Sequence, residues 1–147
     1  MTDATPLTDA ERDDFLGAGG TGVISFSSGE DEAPHAVPVS YGYDASETTF
    51  YLRLAVGRDS AKIDHLDRPV SLVVYEEVGD VWHSVVARGR LEPTEDETIA
   101  TETLAGLNRV SLPLHDVFGR PSREVSFEFY RLVPDDLTTL RESSTAV

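Results

Sequence analysis

Six short segments of this chain are rich in β-branched and aromatic residues, and most are separated only by polar or glycine-containing turns. We predict strands at residues 21–28, 36–43, 48–56, 70–76, 81–91 and 125–133. The second and third of these strands, and also the fourth and fifth, are close enough in sequence to form hairpins. A doubly wound parallel sheet needs a helix between successive strands, and most of those helices are missing. The pattern therefore predicts a mainly β protein, either a small β-barrel or a mostly antiparallel sheet of about six strands with helices at its edges.

Three helices are predicted around these strands. Thr8 followed by Glu11 has the spacing of a capping box and predicts a helix over residues 8–18. Asp59 or Ser60 can cap a short helix that ends near residue 66. The pair Thr94 and Glu97 repeats the capping-box signal and predicts a helix to about residue 107, whereas residues 108–121 are ambiguous. After Pro134 only a short tail is expected.

Length and composition indicate the general class of protein. The 147 residues suit one domain spanning 1–147, and a hydrophobic content of 39% is enough to build a core. The absence of Cys excludes a disulfide framework, Cys-ligated zinc and a thiol nucleophile. The first residues lack the features of a secretory signal, and no apolar run reaches the roughly 20 residues of a membrane helix. We therefore expect a soluble, cytoplasmic protein without membrane association.

The charge distribution is strongly one-sided. The chain has 12 basic and 27 acidic residues, which gives a formal net charge of −15. Lys62 is the single lysine, and the other 11 basic residues are arginines. An acid-rich, lysine-poor composition is typical of proteins from salt-rich cytoplasm, where salt screens the repulsion between carboxylates. We therefore predict a halophilic, salt-adapted source. Because no basic stripe is present to displace counterions, nucleic acid is not an expected partner.

Several familiar motifs are absent or out of context. Residues 17–22 match G-x-G-x-x-G literally, but here a helix precedes and a strand follows, the reverse of a dinucleotide-binding unit. We interpret them as a helix end and turn. The four His residues show no metal-site spacing, and no G-x-S-x-G elbow supports a Ser-His-Asp triad. No metal is therefore expected, and no catalytic residue is assigned.

The segment from Phe50 to Leu66 carries the most chemical information. A strand ends, a glycine-containing turn follows, and the next predicted helix has Ser60 and Lys62 in its first turn. Free backbone N–H groups, a hydroxyl and an ammonium group can converge there on an anion such as a phosphate. The alternative is a solvated Lys62 paired with Asp59 or Asp64.

The order of several strings supports a family resemblance. They are VPVSYGYD at 37–44, Phe50-Tyr51, Lys62 four residues before Leu66, Pro69 opening a strand, and SVVARGR at 84–90. Over residues 8–133 the chain resembles the pyridoxamine-phosphate-oxidase-like superfamily of FMN-binding split β-barrels. The strings SYGYD and SVVARGR are most similar to its nitroimidazole-reductase-like branch.

The resemblance implies an FMN site and assigns residues to it. Lys62 would hold the FMN phosphate with Ser60 and Ala61 beside it. Ala61 stands where relatives often have Arg, so Arg58 would supply that charge. Further cofactor contacts implied by the family are Pro38, Val39, Ser40, Tyr41, Tyr51, Leu52, Arg53 and Ser84, the first four through the strand backbone beside the isoalloxazine. Tyr41 and Tyr51 could equally be core aromatics. Among polar groups, Tyr41, Arg53 and His83 are expected nearest the ring.

The resemblance also implies a homodimer, with each flavin site built from both chains, and a flavin-dependent oxidoreductase acting on a small molecule. True pyridoxamine phosphate oxidases continue past the equivalent of Tyr130–Pro134 with an aromatic residue and an Arg-rich ending. Residues 135–140 lack an aromatic residue, and Arg53 stands where the nitroimidazole-reductase-like branch often has His. We therefore do not expect vitamin-oxidase activity. A deazaflavin-dependent reductase and a non-catalytic barrel stay open as alternatives.

Overall fold

The computed structural model describes residues 4–57, 68–108 and 125–143. The strands are β1 (Ala4–Thr5), β2 (Gly19–Phe26), β3 (His35–Asp44), β4 (Thr49–Gly57), β5 (Val70–Val78), β6 (Val81–Gly89), β7 (Leu91–Thr94), β8 (Val125–Leu132) and β9 (Asp136–Ser143). The helices are α1 (Asp9–Leu16) and α2 (Thr101–Asn108), with a 3₁₀ turn at Asp96–Thr98.

All described strands form one antiparallel sheet in the order β1-β9-β6-β5-β2-β3-β4-β8-β7. The sheet curls into a half-barrel with α1 and α2 packed against it, which confirms the mainly β, split β-barrel architecture. Both predicted hairpins are confirmed, β3 with β4 and β5 with β6. Within the described ranges, no helix is long and apolar enough to cross a membrane.

Two sequence predictions near the sheet edges are wrong. The expected tail after Pro134 contains β9, which pairs with β6 along its whole length and is joined to it by an ion pair between Arg88 and Asp136 at 3.2 Å. The expected helix from residue 94 begins only at Thr101, because Thr94 ends β7 opposite Phe129 of β8. In both cases pairing with a distant strand decides a segment whose local signal is weak or points elsewhere.

The hydrophobic core lies on the inner face of the sheet. Its fully buried large side chains include Phe26, Phe50, Leu52, Leu54 and Leu72. Strand side chains alternate between faces, so the residues between these positions lie on the opposite face, called the outer face below. Exposed side chains on the outer face can meet a ligand or a partner, whereas Ser40 on the same face is only 3% exposed.

α1 is fixed at both of its ends. Thr8 and Glu11 form the predicted capping box, with bonds of 2.9 and 3.1 Å between each backbone N–H and the other side chain. Arg141 of β9 reaches Glu11 at 2.5 Å. The helix ends at Gly17, whose φ of 59° is the left-handed conformation that glycine adopts easily. This confirms the interpretation of the glycine-rich string as a helix end rather than a nucleotide loop.

α2 covers the outer face where β3 pairs with β4. A Cβ atom at Gly42 would lie 2.5 Å from the carbonyl oxygen of Thr103, so only glycine allows the helix this close. Leu107 of α2 packs with Ile99 and with Tyr51 of β4 in a second, smaller buried cluster. The helix therefore closes one end of the outer face and leaves the other end open.

Candidate functional site

Strand alternation divides the residues predicted to contact a cofactor into two groups. Pro38, Ser40, Tyr51, Arg53 and Ser84 lie on the outer face. By contrast, Val39, Tyr41 and Leu52 place their side chains in the core, where each is at most 2% exposed. These three residues can offer a ligand only their backbone.

Tyr41 and Tyr51 occupy different environments. The Tyr41 hydroxyl donates a hydrogen bond to the carbonyl oxygen of Leu16 at 3.1 Å, and its ring contacts Phe50, so Tyr41 takes the core position that the sequence left open. Tyr51 is buried beneath α2. Burial raises its pKa above the ordinary value, and the negative charges of Glu47 and Asp44 raise it further. The Tyr51 phenol therefore stays protonated at neutral pH.

The strands β3 and β4 separate from one another beyond Tyr41. Their pairing runs from Asp44 opposite Thr49 to Tyr41 opposite Leu52 and ends there. β3 nevertheless stays paired with β2 as far as His35, and β4 stays paired with β8 as far as Gly57. We call the resulting opening the β3–β4 cleft, bounded by residues 36–40 of β3 and residues 53–57 of β4.

The cleft has the features of a site for a long polar ligand. Gly57 is five residue steps from Leu52, so the β4 side of the cleft is about 17 Å long. Among residues 4–57, 68–108 and 125–143, no strand pairs with β3 on its cleft side beyond Tyr41, so a ligand can bond the backbone of residues 36–39 there. Arg53 lies at the closed end of the cleft. The matched sequence strings predict the residues that bound the cleft. They do not predict that the two strands diverge, which is seen only in the pairing register.

A shallow groove lies beside the cleft on the outer face. It encloses about 320 Å³ and is lined by Thr21, Gly22, Val23, Pro38 and Tyr75. Ser40 lies next to it, directly opposite Thr21. We call this the outer groove. Thr21 and Tyr75 are not among the residues predicted from the sequence, and Tyr75 joins this face because it pairs directly with Ser84.

A larger cavity of about 540 Å³ lies between the end of α1, the β3–β4 turn and the start of α2. Its lining includes Asp13, Asp44 and Glu102, and it contains none of the residues predicted to contact a cofactor. Asp13 already accepts hydrogen bonds from the Tyr43 hydroxyl at 2.6 Å and from the Arg12 guanidinium. A phosphate-bearing ligand would be repelled by these carboxylates, so the cleft and outer groove are the better candidate site.

The remaining predicted residues are placed as follows. Ser84 lies on the outer face of β6, separated from the outer groove by Tyr75. His83 points to the opposite face, where its ring meets Phe15 of α1 at 5.4 Å and its buried Nδ1 atom has no hydrogen-bond partner. Arg58, Ser60, Ala61 and Lys62, with the predicted short helix, lie outside the described residues. In residues 4–57, 68–108 and 125–143 no group of three or more His, Asp or Glu side chains could hold a metal ion.

The fold and the cleft define a split β-barrel with a candidate ligand site on its outer face. Comparison with known proteins then gives the family. The model of the pyridoxamine 5'-phosphate oxidase family matches residues 8–141, and the chain belongs to that family. A search among curated proteins found no match.

Solved structures with the same fold cover nearly the whole chain. One is a candidate pyridoxamine 5'-phosphate oxidase from Corynebacterium glutamicum, with a TM-score of 0.64, 20% identity, and 98% of this chain and 96% of that chain covered. A FAD-binding protein from Mesorhizobium loti matches with a TM-score of 0.63 and 20% identity, and the match covers 97% of this chain and 99% of that chain. A candidate 5-nitroimidazole antibiotic resistance protein from Bacteroides thetaiotaomicron matches with a TM-score of 0.60 and 16% identity, and the match covers 97% of this chain and 89% of that chain. At these identities the likeness establishes the fold alone.

Proposed function

We propose that this protein binds FMN in the β3–β4 cleft and acts as a flavin-dependent oxidoreductase on a small molecule. The observation that carries the proposal is the early end of the β3–β4 pairing at Tyr41 and Leu52, beyond which no strand in the described part of the chain pairs with β3 on the cleft side. The isoalloxazine carries hydrogen-bond donors and acceptors along one edge, and a strand edge offers both in alternation. Family membership supports the same assignment.

The two ends of the cleft suit the two ends of FMN. The ring would lie at the closed end, between the β3 edge and Arg53. The phosphate would lie beyond Gly57, where the chain continues to Arg58, Ser60, Ala61 and Lys62. In a protein of net charge −15, the positive charges of Arg58 and Lys62 would supply the attraction that an anionic cofactor needs.

The flavin supplies hydride or electron transfer when it is bound. The role of this chain is then to hold the phosphate, orient the ring and exclude water from one side of it. Tyr51 contributes packing rather than proton transfer, because its raised pKa keeps the hydroxyl protonated and α2 covers it. Ser84 is too far along the outer face to meet the same ring as Arg53, since four strand steps of about 4.8 Å separate β6 from β4.

This last separation supports the proposed homodimer. If Ser84 contacts a flavin, as the resemblance implies, that flavin belongs to a second chain. Light scattering at fixed salt tests the dimer directly, and a monomer that binds flavin with full affinity would contradict it. The predicted cytoplasmic, salt-adapted origin of the protein stays a prediction.

Vitamin-oxidase activity does not fit the end of the described chain. Asp136–Ser143 is committed to β9 and bonded to β6 on one side, so this segment is not available to close over a phosphorylated substrate. We therefore propose a substrate other than pyridoxamine phosphate.

FAD is a second candidate cofactor, since the structural neighbour from Mesorhizobium loti is described as FAD-binding. The test is an absorption spectrum of protein purified in multimolar salt, followed by identification of whatever heating releases. A flavin spectrum with FMN in the supernatant supports the proposal, and FAD or a deazaflavin there would replace FMN as the cofactor. A colourless protein whose melting temperature does not rise with any of the three contradicts flavin binding, because a ligand of the native state stabilises it.

A further inference from the structure

β2 and β5 separate from one another near the end of α1. Their pairing stops at Val23 opposite Val73. β2 nevertheless stays paired with β3 as far as Gly19, and β5 stays paired with β6 as far as Val78. Among residues 4–57, 68–108 and 125–143, no strand pairs with either of them on the side of the gap, so each presents a free backbone edge to it.

A proline shows which backbone groups face this gap. Val23 lies opposite Pro38 of β3, which has no N–H to donate, so this pair does not exchange two hydrogen bonds. Bonded and non-bonded pairs alternate along an antiparallel ladder, so Val23 and Thr21 direct their N–H and C=O groups toward β5. Val23 is therefore bonded to Val73, and by the same alternation Tyr75 directs its own groups toward β2. Thr21 and Tyr75 thus each offer one donor and one acceptor to the gap.

A pocket of about 270 Å³ lies in the gap, with α1 on one side. Its lining includes Phe15, Gly20, Thr21, Tyr41, Tyr75 and Glu76. We call it the inner pocket, because the side chains of Tyr41 and Glu76 are at inner-face positions of their strands. Ser84, which the proposed homodimer places against a second chain, lies on the other face. The volume is room for about nine water molecules, which is enough for one aromatic ring with a small substituent.

Flat apolar walls and polar groups meet in the inner pocket. Phe15 and Tyr41 supply aromatic rings, and the Tyr41 hydroxyl is already bonded to Leu16. Glu76 supplies a carboxylate that forms no ion pair or hydrogen bond with another residue in the described ranges. Its cross-strand neighbour His83 packs on Phe15 and is not ion-paired to it. A concave site with apolar walls and a few convergent polar groups is the usual form of a small-molecule site.

We propose that the inner pocket binds a small planar molecule with an amidine-type edge, in which one carbon carries two N–H-bearing nitrogens. A carboxylate such as Glu76 accepts two parallel hydrogen bonds from such an edge. The carbonyl oxygens of Thr21 and Tyr75 can accept its outward N–H groups, and the aromatic walls favour a flat cation. Glu76 would repel a carboxylate ligand. It would also face the carbonyl oxygen of an amide of the same shape.

This inference does not rest on the proposed flavin function. Two strands, β2 and β3, lie between the inner pocket and the β3–β4 cleft, so the two sites are about 10 Å apart across the sheet. A ligand in the inner pocket therefore needs no flavin to bind.

Benzamidine, benzamide and benzoate test the proposal, because they share one ring and are cationic, neutral and anionic at neutral pH. The backbone amide resonances of Thr21 and Tyr75 are followed by NMR while each probe is added to the purified protein at fixed ionic strength. We expect a saturable shift with benzamidine, binding about tenfold weaker for benzamide, and no saturation with benzoate. Equal responses to all three probes, or no saturable response to any, would overturn the proposal.

The larger acidic cavity between α1 and α2 is the competing site for a cation. The backbone amides of Ser46 and Glu102 line that cavity and report on it separately. Benzamidine shifts confined to these two resonances, with Thr21 and Tyr75 unchanged, would overturn the assignment to the inner pocket.

A pair of adjacent variants separates local charge from overall charge. Glu76→Gln keeps the shape of the side chain and should weaken benzamidine binding about three- to tenfold while leaving benzamide unchanged. Glu77→Gln is the matched control, because Glu77 is the next residue of β5, is exposed like Glu76 and points to the other face. It changes the net charge equally and should alter binding less than twofold. If it weakens binding as much as Glu76→Gln, the inner pocket is not the site.

A second variant tests the space in the inner pocket. A Cβ atom at Gly20 would lie 3.4 Å from the Tyr41 hydroxyl and 3.5 Å from its ring, which is ordinary contact, so Gly20→Ala should fold. The added methyl group takes up room beside the ring and should weaken benzamidine and benzamide alike by about fivefold or more. Gly29→Ala, where a Cβ atom meets nothing within 4 Å, should change neither. Unchanged binding in Gly20→Ala would show that the ring lies elsewhere and would refute the proposal.

Discussion

α2 and the start of β2 touch backbone to backbone, and this contact gives the sharpest stability prediction. A Cβ atom at Gly106 would lie 2.1 Å from the carbonyl oxygen of Ala18 and 2.9 Å from the amide nitrogen of Gly19. Both neighbours are main-chain atoms, so no side chain can rotate away to make room. Gly106→Ala therefore forces α2 and β2 apart by about 1 Å or more before ordinary contact is restored.

Two effects of opposite sign determine the size of the change. Alanine is the better helix former and would stabilise α2 by about 1 kcal/mol. Overpacking against a rigid neighbour costs up to about 3 kcal/mol, and a backbone contact belongs at that upper end. We expect Gly106→Ala to lower the free energy of unfolding by about 2 kcal/mol, which corresponds to a melting temperature about 4–8 °C lower for a chain of this length.

The measurement is denaturant unfolding followed by far-UV circular dichroism in fixed high salt. Gly29→Ala is the matched control, because a Cβ atom there meets nothing within 4 Å, and it should leave stability unchanged or slightly raised. If Gly106→Ala is as stable as the unmodified protein, helix propensity dominates and the close packing of α2 on β2 is wrong. If Gly29→Ala loses as much stability as Gly106→Ala, the loss does not come from the contact between α2 and β2.

Three further outcomes are expected. Lys62→Ala should weaken FMN binding by about 1.5–3 kcal/mol in calorimetric titration at fixed salt, the range for a hydrogen bond to a charged group. Burial and the hydrogen bond with Asp13 raise the pKa of Tyr43 to about 12. The neutral phenol therefore contributes stability that is complete below pH 10 and is lost as pH rises through 12. Tyr43→Phe should remove this alkaline loss of stability in melting curves measured at several pH values. Hydrogen bonds with Thr8 lower the pKa of Glu11, so its contribution is present above pH 4.5 and is lost as pH falls further; Glu11→Gln should flatten that acid limb.

Each of these outcomes has its own control. Arg68→Ala removes an exposed cation just before β5 and should leave FMN affinity unchanged. An equal loss would show that overall charge, not Lys62, sets the affinity. If the alkaline loss of stability persists in Tyr43→Phe, it is assigned to Tyr130 instead, because burial and Glu128 also raise the pKa of Tyr130. An acid limb that is unaltered in Glu11→Gln would show that the capping box does not couple α1 to folding.

The central hairpins could be predicted from sequence because their signals are local. Alternating β-formers and short turns define β3 with β4 and β5 with β6, and the capping box at Thr8 defines α1. β9 could not be predicted in this way. Its sequence, DLTTLRES, has few strong β-formers, and it becomes a strand because β6 offers a full-length partner. β7 is similar, since Thr94 carries a helix-cap signal but is held opposite Phe129.

The candidate site shows a different limit. The strings around Tyr41 and Tyr51 could be matched to a family without knowing the faces of the strands, so core and ligand-facing residues were predicted together. Two-residue periodicity separates them: Tyr41 and Leu52 belong to the core, whereas Ser40 and Arg53 belong to the outer face. Neighbouring residues in a matched string therefore act differently, one through its side chain and the other through its backbone.

The same alternation explains why the chain can keep a stable core and still carry an open site. The inner side chains of β3 from Val39 onward and of β4 as far as Leu54 are buried, so this part of the core is packed without a ligand in the cleft. The end of the β3–β4 ladder at Tyr41 and Leu52 removes only strand-to-strand bonds, and β2 and β8 continue to hold the two strands on their other sides. A ligand that bonds the free edge of β3 therefore completes a ladder that the neighbouring strands already hold in place, and binding there orders little further backbone. This preorganisation lowers the entropic cost of binding, and it places the proposed flavin where β3 and β4 diverge while β2 and β8 hold them on their other sides.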